Sequence, residues 1–239
     1  MVELRTRTPS SHLIKADLLR RGLELANIIE AEIERASEHS GLALPDPVLS
    51  ESASWARVWV RRGLRKYNQG DYVGALNNLQ RAIQKQPNLV NAHNGLGSCY
   101  YKLKDYAKAA QSYRKALDLS SAPHIRCNLA SALQHLNQLE SAVHLYEQLL
   151  ADAPRFGIAF YGLGVTLAKQ ARIDDAEQAF QQAVILMPDH APSYYGLGLM
   201  YSRQRAVHKA SEALKEAMLI DPIYVAAYQT FINRCEYDG

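Results

Sequence analysis

Three short stretches of the chain, Asn94-Gly95-Leu96-Gly97, Tyr161-Gly162-Leu163-Gly164 and Tyr195-Gly196-Leu197-Gly198, are near copies of one another. The second and third lie 34 residues apart, and the first and second 67, close to two periods. A period of 33 or 34 residues narrows the fold sharply. Each unit must be one supersecondary element, too small to bury its own apolar face and stable only when stacked on its neighbours.

Within each period the same residue types return at fixed offsets. The second unit has Tyr100, Ala109, Tyr113 and Ala116; the fourth has Leu167, Ala176, Phe180, Ala183 and Pro188; the fifth has Tyr201, Ala210, Leu214, Ala217 and Pro222. The third carries Leu133, Ala142, Tyr146 and Pro154, with Leu149 where the second Ala would stand, and the first carries Ala75, Leu79, Ala82 and Pro87. Large residues spaced by three and four mark two amphipathic helices per unit. Ala and Gly recur where two helix axes approach closely, because a larger side chain would force them apart. Pro closes the second helix, and the pairs Gly70-Asp71 and Lys104-Asp105 fall where a turn between helices belongs. No segment alternates with period two, so no strand is expected.

This set of positions resembles the tetratricopeptide repeat. The resemblance implies an all-α fold, a right-handed superhelical α-solenoid whose residues 55–224 hold five helical hairpins at 56–89, 90–122, 123–156, 157–190 and 191–224. Residues 225–239 are expected to form a C-terminal capping helix, with Tyr228 and Phe231 toward the last repeat and Gln229, Asn233 and Arg234 toward water. Residues 1–54 are expected to hold an amphipathic N-terminal helix ending near His39, then a linker with Gly41, Pro45 and Pro47. That helix has three readings: it caps repeat one, fills the groove, or pairs two chains into a homodimer. Arg62 stands where the family places a buried Leu beside Gly63, which leaves the register of the first helix of repeat one open.

Composition excludes several classes. With 48% hydrophobic and 21% charged residues the chain can bury a core, yet no stretch approaches the roughly 20 apolar residues of a membrane span. The start, Met1 to Ser11, has Arg5 and Arg7 without an apolar run, so no secretory signal is expected and a cytoplasmic setting follows. Cys99, Cys127 and Cys235 lack metal-ligand spacing, which fits a reducing compartment and no metal site. The Gly-Leu-Gly pieces lie inside helices at repeat spacing, which excludes a nucleotide-binding loop; no cofactor is expected.

On a helix over residues 123–136, His124, Cys127, Asn128, Ser131 and His135 share one face, a spacing that presents a nucleophile, a base or metal ligands. No acid is fixed beside either His, and the eleven residues between them are too many for one ion to bridge. Polar groove lining is the plainer reading, and the chain is not expected to be an enzyme.

In the resembling family the first helix of each hairpin lines the concave face. Carried over, the lining comprises Tyr67 and Asn68; Asn91, Asn94, Ser98, Tyr101 and Lys102; His124, Asn128, Ser131 and His135; Tyr161, Val165 and Lys169; and Tyr195, Leu199 and Arg203. Tyr offers contact area with a polar tip and Asn bonds both groups of a peptide backbone, so the lining suits an extended peptide or a helix of a client protein. Tyr67 and Tyr101 have packing between hairpins as an equal alternative. Gly95, Gly162 and Gly196 are expected to leave recesses on this wall. The family's carboxylate clamp finds no cations at its positions, so capture of a free C-terminal carboxylate is not expected.

Charge is uneven. Residues 56–122 hold 12 Lys or Arg against 3 Asp or Glu, whereas residues 123–190 hold 4 against 7. Arg57, Arg61, Arg65 and Lys66 lead a basic patch, with the three arginines on one side of a helix. The expected function is a protein–protein interaction scaffold or complex-assembly adaptor whose basic end favours acidic partners. Two alternatives stand beside it: a nucleic-acid binder using the basic repeats, and a regulatory subunit of an enzyme.

Overall fold

A computed structural model describes residues 51–237, and the N-terminal helix expected within residues 1–50, with its capping, groove-filling and dimer readings, lies outside the described residues. The described residues form α1 (Glu51–Asn68), α2 (Tyr72–Lys85), α3 (Val90–Lys102), α4 (Tyr106–Leu119), α5 (Pro123–His135), α6 (Leu139–Asp152), α7 (Gly157–Lys169), α8 (Ile173–Leu186), α9 (Ala191–Arg203), α10 (Val207–Ile220), a 3-10 turn (Pro222–Tyr224) and α11 (Val225–Tyr237). Among them there is no strand. Glu51–Ser54, expected in the linker, belong to α1.

Consecutive helices pair into five antiparallel hairpins, α1–α2 through α9–α10, and each hairpin packs on the next to make an α-solenoid. The first helices of successive hairpins also touch one another, while successive second helices have no contact of that extent. The first helices therefore line the inner side of the array and the second helices its outer side.

Every hairpin turns in the same way. The residue after each first helix's cap is left-handed: Gly70 (φ 82°), Lys104 (63°), Asn137 (59°), Ala171 (58°) and Arg205 (60°). The next amide donates back into the helix, as from Asp105 N to Tyr100 O (2.9 Å), Gln138 N to Leu133 O (2.9 Å) and Arg172 N to Leu167 O (3.0 Å), while the left-handed residue's own amide reaches the third carbonyl before it. This pair of bonds satisfies carbonyls that a helix end would leave open. In the first two hairpins an Asp then caps the second helix, Asp71 accepting from Gly74 N (2.8 Å) and Asp105 from Lys108 N (3.2 Å).

The core follows the repeat. Ala75, Ala82, Ala109, Ala116, Ala142, Ala176, Ala183, Ala210 and Ala217 are fully buried, as is Leu149 in the place of an Ala. The eighth residue of each second helix, Leu79, Tyr113, Tyr146, Phe180 or Leu214, is buried and faces a glycine. A Cβ on Gly164 or Gly196 would come within 2.9 or 2.6 Å of the Phe180 ring, so this ring sits between a glycine of its own hairpin and one of the next. Leu79 sits likewise between Gly63 and Gly95. Gly63 therefore plays the part of Gly97, which fixes the register of α1 and leaves Arg62 exposed, with its guanidinium 5.2 Å from the Trp59 ring.

These contacts correct one expectation. Gly95, Gly162 and Gly196 are buried and open no recess on the inner wall; the space of each missing side chain is filled by Leu79, Tyr146 or Phe180 of the preceding hairpin.

At the far end, α11 packs on α10, with Tyr228 and Phe231 half-buried and Gln229 and Asn233 exposed.

Candidate functional site

Three rows of side chains run along the inner side because α3, α5, α7 and α9 each have 13 residues and share one register. Their fifth positions are Asn94, Cys127, Tyr161 and Tyr195; the ninth are Ser98, Ser131, Val165 and Leu199; the thirteenth are Lys102, His135, Lys169 and Arg203. Spacing by four keeps the three rows on one helix face.

The wall has two halves. In hairpins two and three it is polar and hydrogen-bonded. Asn128 Nδ2 donates to Asn94 Oδ1 (3.2 Å) across the hairpins, Ser98 Oγ donates to Asn94 O (3.1 Å), and the Tyr113 hydroxyl donates to Ser98 Oγ (3.3 Å). The Tyr101 hydroxyl bonds Ser131 Oγ (2.9 Å), and its ring meets Tyr106 and His135 edge-on at 5.3 and 5.4 Å. His135 is stacked on Tyr106 at 4.3 Å. Tyr101 is thus engaged in joining two hairpins, and Tyr67 packs on Tyr72 at 5.4 Å.

In hairpins four and five the wall is aromatic and apolar. Tyr161 and Tyr195 are half-buried, and Leu199 remains 38% exposed. Tyr161 rests on His190 (5.0 Å) and Tyr195 on Tyr224 (5.0 Å), so both rings are braced from behind. Burial pushes the Tyr161 hydroxyl above its ordinary pKa, keeping it a neutral donor.

Lys102, His135, Lys169 and Arg203 are exposed along one edge. Lys169 Nζ donates to Gln134 O (3.5 Å) and Arg203 Nη1 to Ala168 O (3.4 Å), each reaching the end of the preceding first helix. Asn91 and His124 are exposed at the opposite ends of their helices. The basic patch stands apart, on α1, where Arg57, Arg61 and Arg65 are exposed and Lys66 pairs with Asp71 at 2.9 Å.

The residues weighed for acid–base chemistry form no catalytic pair. Burial pushes the Cys127 thiol up to about 11, far from a thiolate nucleophile. His135 is held below its ordinary value, first by burial and then by the Lys169 charge, and it contacts rings instead of the thiol. Among the described residues no cluster of His, Cys, Asp or Glu is arranged to hold a metal ion, and no helix is long and apolar enough to cross a membrane. Cys127, which the sequence places on one face with Asn128 and Ser131 but which the family-derived lining omits, stands in the row of Asn94.

The tetratricopeptide repeat family model matches residues 60–122, 127–191 and 166–222. The chain belongs to the tetratricopeptide repeat family. Tetratricopeptide arrays have the architecture of a protein–protein interaction scaffold, and this chain has that architecture. It is 32% identical over 127 residues to tetratricopeptide repeat protein 37 of Xenopus laevis, a match over 52% of this chain and 8% of that protein. Among solved structures it resembles MamA of Desulfovibrio magneticus RS-1 at 22% identity and a TM-score of 0.65, over 73% of this chain and 98% of that one. It also resembles YrrB, described as a tetratricopeptide repeat protein with an unusual peptide-binding site, at 21% identity and a TM-score of 0.57, over 82% of this chain and 97% of that one.

Proposed function

We propose that the chain is a non-enzymatic scaffold or complex-assembly adaptor that holds an extended or helical segment of a client protein against its inner wall. The observation that carries this reading is the braced but uncovered pair Tyr161 and Tyr195, with exposed Leu199 beside them. Rigid aromatic side chains lose little entropy on contact, which makes them effective anchors. The polar half, with Asn91, Asn94, Ser98, Asn128 and Ser131, offers donors and acceptors to a peptide backbone. The peptide-binding site named for YrrB supports the same use of such an array. The three free thiols fit a cytoplasmic setting.

A photo-reactive amino acid at Tyr161 or Tyr195, followed by mass spectrometry of the crosslinked products, tests the proposal. Recovery of a defined segment of one protein is the expected result. Recovery of small molecules or RNA alone refutes it.

A second reading has its own observation. The guanidinium groups of Arg62 of α1 and Arg81 of α2 both lie over the Trp59 ring, at 5.2 and 4.9 Å, on the helix that carries Arg57, Arg61 and Arg65. An aromatic ring with cations over it suits nucleic acid. Four phosphate contacts would give a salt slope of about −3.6 for duplex on a log–log scale, and a flat titration removes this reading.

A further inference from the structure

Of the five inner helices, the four from α3 onward, α3, α5, α7 and α9, contain no Asp or Glu, and α1 has only Glu51 at its start. Their outer partners α4, α6, α8 and α10 contain nine, whereas α2 has none. With 24 acids in 239 residues, chance would leave several on the inner helices. Helix electrostatics does not explain the gap. A helix macrodipole favours cations in the last turn, which accounts for Lys102, His135, Lys169 and Arg203, but it equally favours acids in the first turn, and the first turns of all four helices have none. The remaining Lys or Arg of these four helices, Arg126, pairs with Asp152 of α6 at 2.6 Å. Gln204, next to Arg203, holds the carboxylates of Asp174 and Glu177, both at 2.8 Å. The edge formed by these four helices is thus cationic by composition, while the acids between residues 103 and 221 lie on the outer helices and in turns.

We propose that hairpins four and five take an acidic amphipathic segment of the client, its carboxylates on Lys169 and Arg203 and its apolar side chains on Tyr161, Val165, Tyr195 and Leu199. This rests on the groove reading above and names the partner's chemistry. The carbonyl contacts of Lys169 and Arg203 are long, at 3.5 and 3.4 Å, and leave most of their donors for a carboxylate. Discrimination comes from both signs of interaction: a basic segment would meet like charge along the edge with no acid on α7 or α9 to offset it. This assigns selection for acidic partners to the inner edge, away from the patch of Arg57, Arg61 and Arg65.

The test is selection from an unbiased library of random 16-residue peptides displayed on phage, with the full chain as bait. The expected pool is enriched in Asp and Glu interleaved with Leu, Ile or Phe. One selected peptide is then made synthetically and its affinity measured by fluorescence anisotropy. The double variant Lys169→Gln/Arg203→Gln should weaken it roughly tenfold, as two partly screened charge pairs would, and should abolish the acid enrichment on reselection. Arg57→Gln/Arg65→Gln should leave the affinity within about twofold, since that patch is not used. A pool of neutral or basic peptides that still depends on Tyr161 overturns the acidic partner and keeps the groove. Loss of binding only in the α1 variant moves the selection to the basic end and overturns the inner edge. Failure to select any peptide removes the groove reading as well, and displacement of the peptide by an equimolar amount of oligouridylate would overturn the protein partner in favour of RNA.

Discussion

Glycine sets the tightest constraints at the residue scale. A Cβ on Gly162 would stand 2.5 Å from the Tyr146 ring, which is 2% exposed and has nowhere to withdraw, whereas a Cβ on Gly95 would stand 3.1 Å from a terminal carbon of Leu79. Gly162→Ala should therefore cost about 1–3 kcal/mol and Gly95→Ala clearly less, a ranking that urea denaturation checks. The thiols give a second expectation. Cys99 is fully buried, and burial pushes it and Cys127 up to about 11, so neither should be alkylated by iodoacetamide at pH 7.5 until the chain unfolds, as peptide mass mapping would show. His135 gives a third. Its folded pKa lies below the ordinary 6.5 because burial and Lys169 both oppose its charge. Stability from this group is full above pH 6.5 and declines as pH falls toward the lowered value, where the unfolded chain takes the proton more readily. His190 behaves alike, burial outweighing the opposing Asp189 charge. Melting temperature should drop between pH 7 and 5, and His135→Gln should flatten that slope.

The glycine expectation also shows where sequence reasoning stopped. The repeat of Gly95, Gly162 and Gly196 was legible, but whether a missing side chain faces solvent or a neighbour's ring depends on contacts 16 residues earlier in the chain, as between Tyr146 and Gly162. Tyr67 and Tyr101 were ambiguous for the same reason: a half-buried tyrosine on a helix face has the same spacing whether it meets Tyr72, His135 or a client.

The helix and its turn are the most legible parts. Offsets of Ala, large residue and Ala are set by packing within one hairpin, a local matter that the chain writes directly. The turns are less so. Only one of the five left-handed positions is glycine; Lys104, Asn137, Ala171 and Arg205 take the others at φ near 60°. A Cβ there costs roughly 1 kcal/mol, least for Asn. Ala171→Gly should thus stabilise the protein by about 0.5–1 kcal/mol, since the amide bonds of that turn, Arg172 N to Leu167 O among them, are already in place. Asn137→Gly should gain less, and thermal melts of the pair would show the order.

Across residues 51–237 the array is a series of near-neighbour contacts, so stability is approximately the sum of hairpins and the seams between them. The seam between hairpins two and three differs from the others. Where Gly95, Gly162 and Gly196 stand elsewhere, α5 has Asn128, bonded to Asn94 at 3.2 Å. Asn128→Ala should cost about 1 kcal/mol by leaving Asn94 Oδ1 without that donor. Hydrogen exchange should then rise first in α3 and α5, with α9 and α10 unchanged.

Charge sorted by helix from α3 to α10, with carboxylates on the outer helices and none on the inner ones, polarises that part of the array across its width. A negatively charged strand then feels attraction along the whole length of the trough before any specific contact forms. Ionic strength should accordingly set how fast a client arrives, while the braced tyrosine rings set how long it stays.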